Sequence, residues 1–143
     1  MAACGMRPRR WVGVPDGVRW AVFVTAAVLA YGTVVHVCEL LAGGWDPYPS
    51  VPVWLAVYFV SLTVLDPLAA VLLLLRRRAG LMLGCAVLVT DAAANGYVNY
   101  AIDASVGLTV GRVGHAVITL LALALLVATP RLWPWLRPVA MHR

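Results

Sequence analysis

Residues 51–78 read VPVWLAVYFVSLTVLDPLAAVLLLLRRR, and this stretch decides the fold of the chain. The part 51–75 is apolar apart from a few hydroxyl groups and one acid, Asp66, and three consecutive arginines follow it. A helix needs roughly 20 apolar residues to cross the hydrocarbon core of a bilayer. The stretch therefore predicts a transmembrane helix that reaches a membrane surface at Arg76.

Three further apolar runs of similar length surround this segment, at 18–42, 79–102 and 106–129. Of the 143 residues, 63% are hydrophobic and 12% are charged, whereas a soluble domain carries about 25% charged residues. The mean hydropathy is +0.90. We expect an all-α, polytopic membrane protein in which four transmembrane helices form an antiparallel bundle. An N-terminal arm (1–17) and a basic tail (130–143) flank the bundle, and no separate soluble catalytic domain is expected.

The arginines predict the orientation of the bundle. Every basic residue is arginine, and the arginines cluster in the arm, in the loop after the second helix and in the tail. The other two loops contain Asp46 and Asp103 and no arginine of their own. Because positively charged loops stay on the cytoplasmic side, both termini are predicted to be cytoplasmic. The arginines are thus explained by the lipid bilayer as partner, and no nucleic-acid partner is expected. The Arg-rich, Lys-free composition favours a bacterial inner membrane.

Two aspartates interrupt the second and third helices near the middle of the membrane. At 1.5 Å per residue, Asp66 lies about 15 Å from Arg76, and Asp91 lies roughly 16–18 Å from Gly80. A charge at this depth is costly, and two carboxylates at close range would not both ionise easily. A shared proton or a bound cation would relieve this conflict, which favours a function for both residues. The alternative for Asp66 is structural, because Pro67 kinks the helix directly after it.

Six further polar residues are predicted in the outer half of the bundle: His36 and Glu39 on the first helix, Asn95 and Asn99 on the third, and Arg112 and His115 on the fourth. Members of each pair are three or four residues apart, so they share a helix face. With the aspartates, they are expected to line a polar vestibule that opens to the outside and is closed below the midplane. The alternative is structural, with Glu39 and Arg112 as an ion pair and the others as interhelical hydrogen-bond partners.

No metal and no cofactor are predicted. The chain contains no phosphate-binding loop and no hydrolase motif, and His36 and Glu39 form an isolated His-x-x-Glu pair without a second ligand motif. Cys4, Cys38 and Cys85 have no metal-binding spacing and are predicted on different sides of the membrane, so a disulfide framework is not expected.

Three classes of function remain open. The first, which we favour, is a non-enzymatic protein that binds or transports a small cation or an amphiphilic ligand. The second is a membrane enzyme that acts on a lipid or isoprenoid, with histidines and aspartates as acid and base. The third is an accessory subunit of a larger membrane complex. Glycines four residues apart, at 80 and 84 and at 107 and 111, favour close helix packing, either inside the bundle or in a homodimer.

Overall fold

The computed structural model describes residues 11–137, and the predicted all-α, four-helix architecture is confirmed. Each helix is long and apolar enough to span a membrane, so the chain is a small multi-pass membrane protein. In chain order the helices are α1 (Asp16–Gly43), α2 (Val53–Leu74), α3 (Arg78–Tyr97) and α4 (Val110–Leu132). Residues 1–10 of the predicted arm and 138–143 of the predicted tail lie outside the described part of the chain.

A short turn that is helical but not α-helical follows each of α3 and α4. Val98–Ile102 form a π-helical turn after α3, and Trp133–Trp135 form a 3-10 turn after α4. The third helix was predicted as one regular helix to residue 102, so its last turn differs from the prediction. π-Helical turns are rare and often occur at functional sites.

The fourth helix begins later and ends later than predicted. It begins at Val110 rather than at residue 106, because Gly107 has a φ of 84° and lies in the preceding loop. The Thr109 side chain accepts a hydrogen bond from the backbone N–H of Arg112 at 3.2 Å, which caps the helix. The helix then continues past residue 129, its predicted end, through Pro130 to Leu132. Since proline so near a helix end removes one hydrogen bond at most, the last turn survives.

The helices pack in chain order around one apolar core, with α1 on α2, α2 on α3, and α3 on α4. All four contribute fully buried side chains, which are Val22, Leu29, Leu55, Leu62, Leu73, Leu81 and Leu132. By contrast, α1 and α4 touch each other at few points. The ring of helices is therefore incomplete on one side, and this gap positions the site described below.

Gly80 allows α3 to pack closely on α2. A Cβ atom on Gly80 would lie 2.6 Å from the backbone carbonyl carbon of Leu72 and nearer still to the backbone nitrogen of Leu73. A Cβ atom on Gly84 would make ordinary contacts of 3.6–3.8 Å with leucine side chains at the centre of the bundle. The predicted small-residue face of the third helix is thus used inside the bundle.

The turn between α2 and α3 binds the segment that follows α4. Arg76, which has a φ of 59°, donates from Nε and Nη2 to the backbone oxygen of Trp135 at 3.1 and 2.6 Å. Backbone hydrogen bonds also run from Arg78 to Arg137 at 3.0 Å and from Arg137 to Arg76 at 2.7 Å. We call these contacts the arginine clasp. The guanidinium of Arg76 also lies 5.4 Å from the Trp11 ring centre, so both ends of the described chain meet at this end of the bundle.

Candidate ligand site

A cavity of about 850 Å³ lies inside the bundle, beside the gap between α1 and α4. All four helices and the α1–α2 loop line it, and most of its wall is aliphatic or aromatic. Its polar lining residues are Tyr31, His36, Glu39, Tyr48, Ser50, Asp66, Asp91 and Asn95. The structure thus brings five of the predicted site residues, His36, Glu39, Asp66, Asp91 and Asn95, to one cavity.

Asp66 is a buried acid that has no partner in the described part of the chain. Its side chain lies on the cavity wall, and the residue is 4% exposed. No residue between Trp11 and Arg137 donates a hydrogen bond to its carboxylate or forms an ion pair with it. A Cβ atom on Gly32 would lie 2.5 Å from Asp66 Oδ2, so the glycine makes room for the carboxylate between α1 and α2. Such an arrangement leaves the acid available to a ligand.

Asp91 faces the same cavity from α3 and is held by its own helix. Asn95 Nδ2 donates to Asp91 Oδ1 at 2.9 Å and to the backbone oxygen of Asp91 at 3.0 Å. This amide holds one carboxylate oxygen of Asp91, and the other oxygen has no hydrogen-bond partner among residues 11–137. Asp66 and Asp91 therefore line the same cavity without hydrogen-bonding to each other.

His36, Glu39 and Tyr48 form a hydrogen-bonded group at the loop end of the cavity. His36 Nδ1 lies 3.2 Å from Glu39 Oε2 and 3.3 Å from the Tyr48 hydroxyl, which donates to Glu39 at 2.5 Å. The Phe59 ring packs against both aromatic partners, with ring centres 6.1 Å from His36 and 5.2 Å from Tyr48. Since Nδ1 is engaged, the second ring nitrogen of His36 is the one left to act on a ligand.

Tyr48 is a site residue that the sequence did not reveal. It lies in the loop between α1 and α2, nine positions from Glu39. Burial and its hydrogen bond to the Glu39 carboxylate raise the pKa of Tyr48 above its ordinary value. Tyr48 therefore stays a neutral donor, and it connects the α1–α2 loop to the polar end of the cavity. Its aromatic ring near a membrane surface was the only signal in the sequence, and interface tyrosines are common.

The structural alternative of a Glu39–Arg112 ion pair is not found among the described residues. Glu39 is engaged by His36 and Tyr48, whereas Arg112 binds backbone oxygens around the π-helical turn. Its Nη2 donates to Ser105 at 2.6 Å and to Asn99 at 3.4 Å, and its Nη1 donates to Gly107. Because the π-helical turn and the loop after it leave carbonyl groups without helical partners, they attract the guanidinium. Arg112 thus contacts the α3–α4 connection and does not line the cavity.

We expect Arg112→Gln to loosen the α3–α4 connection, because three backbone oxygens lose a charged donor at a cost of about 2 kcal/mol. Hydrogen–deuterium exchange should increase over residues 98–109 and remain unchanged in α1. Arg131→Gln is the control, since Arg131 is exposed at the other end of α4. Equal exchange in both variants and the wild type would contradict this structural assignment.

Asn99 and His115 also lie away from the cavity lining. Asn99 is 6% exposed, donates to the backbone oxygen of Asn95 at 2.8 Å, and packs closely on Gly111 of α4. His115 packs on Gly96 and stands edge-on to Tyr100, with ring centres 5.5 Å apart. Its Nδ1 is buried without a hydrogen-bond partner among the described residues. These two side chains contribute to the packing between α4 and the helical segment 78–102. This arrangement agrees with the structural alternative to a functional role for Asn99 and His115.

The cavity extends below the aspartates, whereas the sequence predicted a vestibule closed below the midplane. Its lining reaches Val24 and Leu121, deep in α1 and α4. Val24 precedes Gly32, the neighbour of Asp66, by eight residues, or about 12 Å of helix. The cavity continues there because α1 and α4 make few contacts with each other. Its polar end lies near the α1–α2 loop, and its other end is entirely apolar.

Within residues 11–137, no group of three or more His, Cys, Asp or Glu residues has a geometry suited to a metal ion. Comparison with known protein families, curated proteins and solved structures finds no match to this chain. The chemistry of the site therefore rests on its own residues.

Proposed function

We propose that this membrane protein binds an amphiphilic amine, with the protonated head group held between Asp66 and Asp91. The observation that carries the proposal is the unpartnered, buried carboxylate of Asp66 on the wall of a large, mostly apolar cavity. An isolated buried carboxylate is strongly disfavoured unless a cation or a proton compensates it. A cationic ligand would supply this compensation.

The charges around the cavity support a cation rather than an anion. Glu39, Asp66 and Asp91 line it together with one basic side chain, His36, and among the described residues no arginine lines it. Glu39 is already hydrogen-bonded to His36 and Tyr48, so the two aspartates supply the uncompensated charge. A cleft lined mainly by groups of one charge sign attracts ligands of the opposite sign.

The size and the apolar wall of the cavity support an amphiphile rather than a simple metal ion. Pockets for small organic ligands have volumes of about 300–1,000 Å³ and are mostly apolar with a few polar groups. A cavity of about 850 Å³ lies within that range. A small hydrated ion would fill only the polar end and would leave the apolar wall without a function.

The test is equilibrium binding of radiolabelled dodecyldimethylamine to the protein in nanodiscs of uncharged lipid, with binding to empty nanodiscs subtracted. We expect one saturable site in the wild type. Asp66→Asn and Asp91→Asn should each weaken binding about 10- to 100-fold, the loss typical of a charge-assisted hydrogen bond. Dodecanol, which has the same chain without the charge, should bind weakly and equally to all variants.

Asp46→Asn is the matched control, because Asp46 is an exposed acid in the α1–α2 loop outside the cavity lining. It should bind the amine as the wild type does. Absence of saturable binding in the wild type would overturn the proposal. So would full affinity in both cavity variants, since the head group would then not depend on the aspartates.

An acid–base enzyme acting on a lipid is the second candidate, and the arrangement around His36 favours it. A histidine whose Nδ1 contacts a carboxylate is oriented to exchange a proton through its other nitrogen. If this is the function, wild-type protein incubated with a lipid extract should form a product detectable by mass spectrometry, and His36→Gln should not. A lipid profile that stays identical to that of a protein-free control would exclude this candidate.

A further inference from the structure

We propose that the apolar end of the cavity, together with a smaller cavity next to it, holds the alkyl chain of the bound amine and limits its length. This inference rests on the proposed function and names the ligand class more closely, as a single-chain amine. The smaller cavity has a volume of about 190 Å³ and lies between α1 and α4, on the side facing the arginine clasp. We call this smaller cavity the tail slot.

The tail slot adjoins the main cavity. Four residues line both: Val24 and Val28 of α1, Leu88 of α3 and Leu121 of α4. From Gly32, beside the Asp66 carboxylate, to Ala21 at the far end, α1 runs through eleven residues, or about 16 Å. A head group at the aspartates therefore places an extended alkyl chain along this path.

The far end of the tail slot is lined by small or aliphatic side chains and has no charge. Its lining includes Ala21, Thr25, Ala124 and Ala128. The Thr25 hydroxyl donates to the backbone oxygen of Ala21 at 2.8 Å, so it offers little polarity to the slot. Such a surface favours an alkyl chain and disfavours a second polar group.

The path also opens sideways, between α1 and α4. Val24, Tyr31 and Val117 line the main cavity and are 50%, 72% and 50% exposed, and they lie on the two helices that touch at few points. A ligand dissolved in the bilayer can therefore enter through the gap between these helices without crossing water. The apolar chain then stays in an apolar environment throughout, while the head group exchanges water for the aspartates.

The charge of the site decides between a single-chain amine and other occupants of this gap. A phospholipid would bring its phosphate towards Asp66 and Asp91, and like charges repel strongly in a medium of low dielectric constant. A transmembrane helix, such as that of a second copy, would fill the gap and leave the aspartates uncompensated. A single-chain amine satisfies both the acids and the apolar slot.

The test compares octyl-, dodecyl- and hexadecyldimethylamine in the nanodisc assay, with each affinity corrected for partition into the lipid. In the wild type, corrected affinity should increase from the octyl to the dodecyl compound. Ala124→Trp, which adds a large side chain at the far end of the slot, should leave octyl binding unchanged and weaken dodecyl binding at least about tenfold, the equivalent of 1.4 kcal/mol. Ala21→Trp tests the same point from the opposite wall.

Ala116→Trp is the matched control, because Ala116 lies on the opposite face of α4 and lines neither cavity. It should bind all three amines as the wild type does. If the amines bind but neither slot variant discriminates between chain lengths, the tail slot is refuted and the head-group site stands. If none of the amines binds, the proposed function itself fails. Displacement of the amine by a phospholipid, or a dimer that excludes it, would also overturn the slot.

Discussion

Gly80→Ala is expected to destabilise the folded bundle by about 2–3 kcal/mol. The added methyl group would lie within 3 Å of the backbone of Leu72 and Leu73, and backbone atoms cannot rotate away as a side chain can. The helices α2 and α3 would have to separate, which would reduce the packing of the leucines on both sides of the contact. Unfolding by a denaturing detergent, followed by circular dichroism, measures this loss.

Gly84→Ala is the control for this prediction, since the same substitution occurs one turn further along the same helix. Its new methyl group would make contacts of 3.6–3.8 Å, within ordinary van der Waals range. Both variants gain the same helix propensity from alanine, about 0.8–1.0 kcal/mol. We therefore expect Gly84→Ala to be neutral or slightly stabilising. Equal stability of the two variants would show that the close contact at Gly80 is not important.

Asp66→Asn is expected to stabilise the empty protein by about 1–3 kcal/mol, at a pH at which the wild-type carboxylate is ionised. The wild type buries a carboxylate without a partner, whereas the amide carries no charge and has nearly the same shape. The substitution thus removes a desolvation cost without creating a cavity. The midpoint of thermal unfolding in uncharged detergent is the measurement.

The amine should reduce this difference in stability. A saturating amine stabilises the protein to which it binds in proportion to its affinity, so it should raise the unfolding midpoint of the wild type more than that of Asp66→Asn. Asp46→Asn, at an exposed position, should change the stability by no more than about 0.5 kcal/mol. A large loss of stability in Asp66→Asn would instead indicate that the carboxylate has a structural function, as the Pro67 alternative supposes.

The four spans could be predicted because each depends on a local property, a run of apolar residues as long as the membrane is thick. Their ends were less predictable, since they depend on single contacts. Pro130 lacks the N–H group that would bond to the carbonyl four residues before it, but the helix continues to Leu132 because only its last turn is affected. The start of α4 depends on the positive φ of Gly107 and on the cap by Thr109. Neither conformation is specified by hydrophobic periodicity.

The cavity residues were predicted in part, for a similar reason. His36 and Glu39 are three residues apart, and Asp91 and Asn95 are four apart, so helical geometry alone predicts their pairing. Tyr48 and Arg112 depend on how loops fold back on the bundle, which spacing along a helix cannot reveal. Charge alone suggested that Arg112 would pair with Glu39, but the free carbonyl groups of the π-helical turn lie closer to it.

The arginine clasp has a consequence for the order in which the protein assembles. It joins residues that are 59 positions apart in the chain, and its second half follows the fourth helix. Synthesis from the N-terminus therefore inserts the α2–α3 hairpin before the partners of its turn exist. Until α4 has crossed the membrane, Arg76 and Arg78 lack the carbonyl groups of Trp135, Leu136 and Arg137. Formation of the arginine clasp is thus a late step of biogenesis, and it requires that all four helices have been inserted.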